Sequence, residues 1–126
     1  MDVLGLGTDL VEVARFRLAM QRRAALSERL FSDAEREYAF RQYDPAKSLA
    51  ARFGAKEAVM KAMGVGLWKF KFRDVEVVRA RSGAPSVSLV GRAAEMADER
   101  GIVGWHLSLT HTETTAMAVV LALGSG

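Results

Sequence analysis

The sequence predicts an α+β fold: a small antiparallel sheet packed against one long helix, with residues 1–126 forming a single domain. Three observations lead there. Val3–Asp9 alternates glycine with larger residues at the two-residue period of a strand. The longest helical pattern opens at Asp44-Pro45 and ends near Met63, where Gly64 and Gly66 stop it. Near the C-terminus, Trp105–Thr110 and Thr115–Leu123 read as strands on either side of a His111-Thr112-Glu113-Thr114 turn.

In chain order, the first strand puts Val3, Gly5, Gly7 and Asp9 on one face and Leu4, Leu6, Thr8 and Leu10 on the other. Two bare glycines beside an acid predict close approach of another backbone or of a ligand. A short helix is expected from about Val11 to Gln21, then a connection through Ala24–Phe31. Ser32-Asp33-Ala34-Glu35 has the capping-box pattern and opens a helix toward Tyr43. After the long helix, Lys71–Ala80 and Pro85–Val90 are strand-like, with Ser82-Gly83-Ala84-Pro85 as the turn between them. Arg92–Arg100 reads as a helix ending at Gly101. Thr115–Leu123 is apolar on both faces, which suits a strand covered on both sides.

The chain has no cysteine, which removes disulfides, thiolate nucleophiles and cysteine zinc sites. Met1-Asp2-Val3-Leu4 carries an acid where a signal peptide is basic, and no stretch approaches the roughly 18–20 apolar residues of a membrane span, so the expected address is the cytoplasm. Eighteen basic residues against 15 acidic leave a charge of +3, with Arg15, Arg17, Arg22 and Arg23 close together. Such a patch suits an acidic or phosphorylated partner, or simply a solvated helix face. It lacks the interleaved aromatics that would favour nucleic acid.

The long helix holds the most chemistry. At ~100° per residue and with Phe53 as zero, Leu49 falls near −40°, Met60 near −20°, Glu57 near +40° and Lys61 near +80°. Glu57 therefore borders the apolar stripe, one turn before Lys61. The two fit a simple i,i+4 ion pair, but a carboxylate at the edge of a core also needs a charged partner to stay ionised. Asp9 likewise fits a helix cap. Together, Asp9 and Glu57 offer two hard oxygen ligands from separate elements, the donor type that Mg²⁺ takes when water and phosphate oxygens complete its shell. His106 and His111 lie five apart on one strand, so they face opposite ways, and His111 shares its face with Trp105, Leu107 and Leu109 as a structural histidine would. No Gly-x-Ser-x-Gly elbow or Walker motif is present.

Three segments resemble the signatures of holo-acyl-carrier-protein synthases, in the family's order and spacing: Gly5–Val13 (GLGTDLVEV), Arg52–Gly64 (RFGAKEAVMKAMG) and Leu107–Thr112 (LSLTHT). The resemblance covers essentially the whole chain. It implies the 4′-phosphopantetheinyl transferase fold and a reaction in which coenzyme A and an apo acyl carrier protein give holo carrier protein and adenosine 3′,5′-bisphosphate. It implies that Asp9 and Glu57 hold Mg²⁺ against the diphosphate, and that Lys61 contacts the phosphates. Arg52, His111 and Thr112 then lie around the nucleotide, with Gly83 and Pro85 of the hairpin also touching substrate. Arg15, with Arg22 nearby, docks the acidic carrier protein, and the assembly is a homotrimer with active sites at subunit boundaries. The implied setting is fatty-acid or polyketide biosynthesis. In chemical terms, a serine oxygen attacks the β-phosphate, and Glu57, or a water that it orients, takes the proton. One departure stands out: where the family often has Gly-Lys-Pro, this chain reads Gly83-Ala84-Pro85, which puts one basic contact in doubt. Two other readings fit the same residues, namely a different Mg²⁺-dependent phosphoryl or nucleotide-cleaving enzyme, and a non-catalytic binding module.

Overall fold

The computed structural model describes residues 1–126. Its elements run β1 (Asp2–Glu12), α1 (Val13–Arg22), α2 (Leu26–Leu30), α3 (Asp33–Phe40), α4 (Pro45–Met63), β2 (Val75–Arg79), β3 (Pro85–Leu89), α5 (Gly91–Glu99), β4 (Ile102–His111) and β5 (Thr115–Gly124). An antiparallel sheet of order β1-β5-β4 lies against α4, and β2 and β3 form a separate hairpin. The fold is α+β, as the mixed order of helices and antiparallel strands predicts.

Several boundaries move, each for a tertiary reason. The first strand continues to Glu12 because Leu10, Val11 and Glu12 pair with Met117, Ala116 and Thr115. The following helix therefore starts at Val13, whose N–H donates to the Thr114 carbonyl at 2.9 Å. The connection Ala24–Phe31 contains the short helix α2, and α3 stops at Phe40 instead of reaching Tyr43. The segment read as a strand from Lys71 is a 3-10 turn over Phe72–Asp74 before β2 begins. The strand expected at Trp105 begins at Ile102 and takes His111 in as its last residue.

Helix ends follow the sequence signals. Ser32 and Glu35 form the reciprocal capping box, with Glu35 N donating to Ser32 Oγ at 3.2 Å and Ser32 N to Glu35 Oε1 at 2.9 Å. Asp44 caps α4 ahead of Pro45, and Gly64 closes it at φ 71°. The Asp44 carboxylate also takes both ends of the Arg17 guanidinium at 2.8 and 2.9 Å, tying α1 to the start of α4. That bidentate contact holds the Asp44 carboxyl at about 2.

The long helix is not half-wet, as a simple apolar stripe would predict. Twelve of its residues are buried, including Arg52 and Lys56, because the sheet covers one side while α1, α3 and β2 cover others. Lys56 Nζ donates to Glu35 Oε1 at 2.8 Å and to the Phe72 and Val75 carbonyls, while Glu35 Oε2 accepts from Val77 N at 2.9 Å. This buried pair fastens α3, α4 and β2 to one another. The sheet face turned to α4 carries Ala116, Ala118, Val120 and Ala122, all fully buried. The opposite face leaves Leu6 61% and Leu10 69% exposed.

Candidate active site

The two N-terminal glycines fix where α4 lies. A Cβ on Gly5 would stand 1.9 Å from the Ala62 carbonyl oxygen, and one on Gly7 would stand 1.8 Å from that of Ala58. Helix and strand backbones thus touch along β1, the close approach that the paired glycines predict. Asp9, next on the same face of β1, is brought beneath the turn of α4 that carries Glu57 and Lys61. Lys61 Nζ donates to Asp9 Oδ1 at 3.2 Å and to the Thr8 carbonyl at 2.9 Å. The simple helix pair is therefore replaced: Lys61 reaches across to β1 instead of back to Glu57. Asp9 does not cap α1 either, since the cap position is Glu12 and makes no side-chain cap.

Asp9 and Glu57 are both half-buried. Burial pushes the Asp9 carboxyl above its ordinary value, against the pull of the Lys61 ammonium. Burial also raises Glu57, and the neighbouring Asp9 charge raises it further, with Lys61 opposing. Two carboxylates share one ammonium, so the cluster keeps an uncompensated negative charge where solvation is poor. A hard divalent cation fits that deficit, and an all-oxygen donor set favours Mg²⁺ over zinc. No group of three or more His, Cys, Asp or Glu residues gathers here. An ion held by Asp9 and Glu57 would therefore take its remaining ligands from water or substrate.

These carboxylates line a cleft of about 840 Å³, together with Arg15 of α1 and the apolar Phe16, Leu30, Phe53 and Trp68. Its floor is aromatic: Phe16–Phe53 and Phe53–Phe72 centroids lie 5.4 and 5.6 Å apart. Arg22 is exposed in the last turn of α1, and Arg15 is exposed at the cleft wall.

Arg52 and His111 meet in a second cleft, of about 490 Å³, with Tyr38, Lys47 and Arg79. His111 is exposed at the end of β4, not packed as a structural histidine would be. Arg52 is only 3% exposed, donates to Ser48 Oγ at 2.9 Å, and leaves its buried Nε without a partner. Its guanidinium lies 4.4 Å from the Tyr38 ring centre, and that of Arg79 lies 5.1 Å from the same ring. Arg79 also donates to the Gly83 carbonyl, which connects the Gly83–Pro85 hairpin to this cleft. Ala84 at the tip is exposed and adds no charge. The Thr112 hydroxyl oxygen accepts from Thr114 N and Thr115 N, so it shapes the β4–β5 turn. Tyr38 and Arg79 line the second cleft and Trp68 the first, and no sequence motif singles them out.

The two clefts share no lining residue. Asp9 sits on β1 at one edge of the sheet and His111 on β4 at the other, with α4 and β5 between them. One chain therefore carries two separate clefts.

Residues 5–120 match the 4′-phosphopantetheinyl transferase superfamily. The holo-[acyl-carrier-protein] synthase of Moorella thermoacetica is 41% identical over 123 residues, covering 98% of this chain and 96% of that protein. Among solved structures, the acyl carrier protein synthase of Plasmodium yoelii with ADP bound superposes with a TM-score of 0.90 at 29% identity, covering 99% of this chain and 98% of that one. An ACPS–CoA complex from Chronobacterium ammoniagenes superposes with a TM-score of 0.87 at 28% identity, covering 99% of this chain and all of that one (100%).

Proposed function

The chain belongs to the 4′-phosphopantetheinyl transferase superfamily and is an enzyme of that class; from this premise we propose that it moves 4′-phosphopantetheine from coenzyme A to a serine of apo acyl carrier protein. The products are holo carrier protein and adenosine 3′,5′-bisphosphate. The observation that carries this reading is the meeting of Asp9 and Glu57, from β1 and α4, beside Lys61 at the mouth of an apolar cleft.

Asp9 and Glu57 would hold Mg²⁺, and the ion would supply electrostatic stabilisation of the phosphoryl oxygens. Lys61, already anchored on Asp9 and the Thr8 carbonyl, adds a positive charge beside the same oxygens. The serine hydroxyl forms a new O–P bond at the β-phosphate as the bond to the α-phosphate oxygen breaks. Glu57, or a water that it orients, takes the serine proton. Arg52 and His111, with Gly83 and Pro85 behind Arg79, bind the nucleotide end, and Thr112 holds the turn that presents His111. Exposed Arg15 and Arg22 attract the acidic carrier protein and make its association salt-sensitive.

The separated half-sites support a homotrimer in which one protomer's carboxylate cleft faces its neighbour's arginine cleft. The exposed Leu6 and Leu10 on the outer sheet face fit burial against sister subunits. Residues 1–126 act as one transferase domain in the cytoplasm, serving fatty-acid or polyketide carriers. No helix is long and apolar enough to cross a membrane.

The direct test is a mass spectrum of apo acyl carrier protein after incubation with the protein, coenzyme A and Mg²⁺. One added phosphopantetheine per carrier is expected. Cleavage of coenzyme A without carrier modification would support a different phosphoryl enzyme, and binding with neither would support a non-catalytic module.

A further inference from the structure

Trp68 is the one non-glycine residue with a positive φ, at 67°. The left-handed region is unfavourable for a bulky aromatic residue, and such strain persists where surrounding structure or function keeps it. Burial is not what keeps it here. The residue is 64% exposed, and its ring contacts the edge of Phe72 with centroids 5.3 Å apart.

Its position is informative. With Phe72, Trp68 forms the common wall between the carboxylate cleft and a mainly basic cleft of about 720 Å³ lined by Arg29, Lys71, Arg73 and Arg92, with Asp74 as its one acid. Arg73 and Arg92 are taken up by Asp33, Glu95 and Glu99. Arg15, Arg29 and Lys71 have no acidic partner. These three free cations come from three different parts of the chain and flank the ring on both sides. That spread matches an extended acidic surface better than a single phosphate. Leu67, 53% exposed beside Trp68, gives the rim an apolar centre.

We propose that Trp68 is a specificity-determining contact for the acyl carrier protein: the carrier's acidic face lies along Arg15, Arg29 and Lys71, and an apolar side chain near its serine packs on Leu67 and Trp68. This rests on the transfer reaction proposed above. An aromatic centre with a charged rim is the usual anatomy of a protein contact.

Trp68→Gly tests it without disturbing the backbone, because glycine takes this φ freely. Relief of strain offsets the lost ring contact, so Tm should stay within about 3 °C of wild type. The KM for apo carrier should rise about tenfold or more, with the KM for coenzyme A within about twofold. In a Trp105→Phe background Trp68 is the single tryptophan, and adding apo carrier without coenzyme A should shift its emission to the blue. A rise in KM for coenzyme A alone would assign the ring to the donor and overturn the proposal, as would unchanged kinetics. A fall in Tm of more than about 10 °C with uniform loss of every parameter would make Trp68 structural. The emission arm needs no turnover. If wild type leaves the carrier unmodified yet the emission still shifts, the transfer reading fails and the contact stands.

Discussion

Glu57 is held where two forces oppose its charge, burial and the Asp9 carboxylate, with Lys61 offering partial relief. Its pKa in the fold lies above its ordinary 4.5, so the folded chain binds the proton more tightly than the unfolded chain does. The sign follows. The penalty is absent at low pH, where both states are protonated, and grows as pH rises through the raised pKa. Glu57→Gln removes the charge while keeping the shape. We expect its Tm to exceed that of wild type at about pH 7–8, with the difference closing below about pH 4. If Asp9 and Glu57 hold Mg²⁺, adding Mg²⁺ should raise the Tm of wild type and leave that of Glu57→Gln nearly unchanged. Transfer should fall by about a hundredfold or more. A variant no more stable than wild type at any pH, with the same Mg²⁺ response, would take Glu57 out of the metal site. A residue that costs stability in order to do chemistry is the pattern expected here.

At the scale of elements, the site depends on α4 resting directly on β1. Gly7→Ala places a methyl 1.8 Å from the Ala58 carbonyl oxygen, a clash with backbone that no side-chain rotation relieves. The helix must lift, and Glu57 and Lys61 lift with it away from Asp9. A loss of about 1–3 kcal/mol in stability is expected from overpacking, with kcat lowered about a hundredfold, since displacements near 1 Å cost that much. Gly104→Ala is the control, because nothing lies within 4 Å of its added Cβ. Equal effects from both would show that β1–α4 contact is not what aligns the site. Features with local signals were legible in the sequence: the alternating face of Gly5, Gly7 and Asp9, the Ser32–Glu35 box, and the Pro45 and Gly64 ends of α4. Glu57 at the edge of the packed side of α4 was legible too. Features set by distant partners were not. Leu10–Glu12 extend a strand because Thr115–Met117 pair with them across the whole chain. Lys56 looks like any helix lysine, yet it is fully buried on a glutamate 21 residues away. The strained Trp68 has no local signature in the sequence.

For the whole molecule, the decisive fact is that Asp9 with Glu57, and Arg52 with His111, occupy separate clefts on opposite sides of α4. A diphosphate at the first pair and its nucleotide at the second require either a substrate reaching around the helix or a second copy of the chain. The exposed Leu6 and Leu10, on a sheet face whose other side is fully packed, favour the second copy. Mixing inactive variants separates these cases. Glu57→Gln leaves the arginine cleft intact, and Arg52→Gln leaves the carboxylate cleft intact. Each alone should be inactive. After denaturation and reassembly of an equimolar mixture, a boundary between one protomer of each kind, in the right order, joins two intact half-sites. In randomly assembled cyclic trimers about one boundary in four is of that kind, so close to a quarter of wild-type activity should return. Active sites confined to one protomer would return nothing, because every chain in the mixture carries a lesion. Arg52 is buried, so Arg52→Gln alone must first show a Tm near that of wild type, and the mixture a sedimentation mass near three chains. With those in hand, recovery or its absence decides between one chain and two at each site.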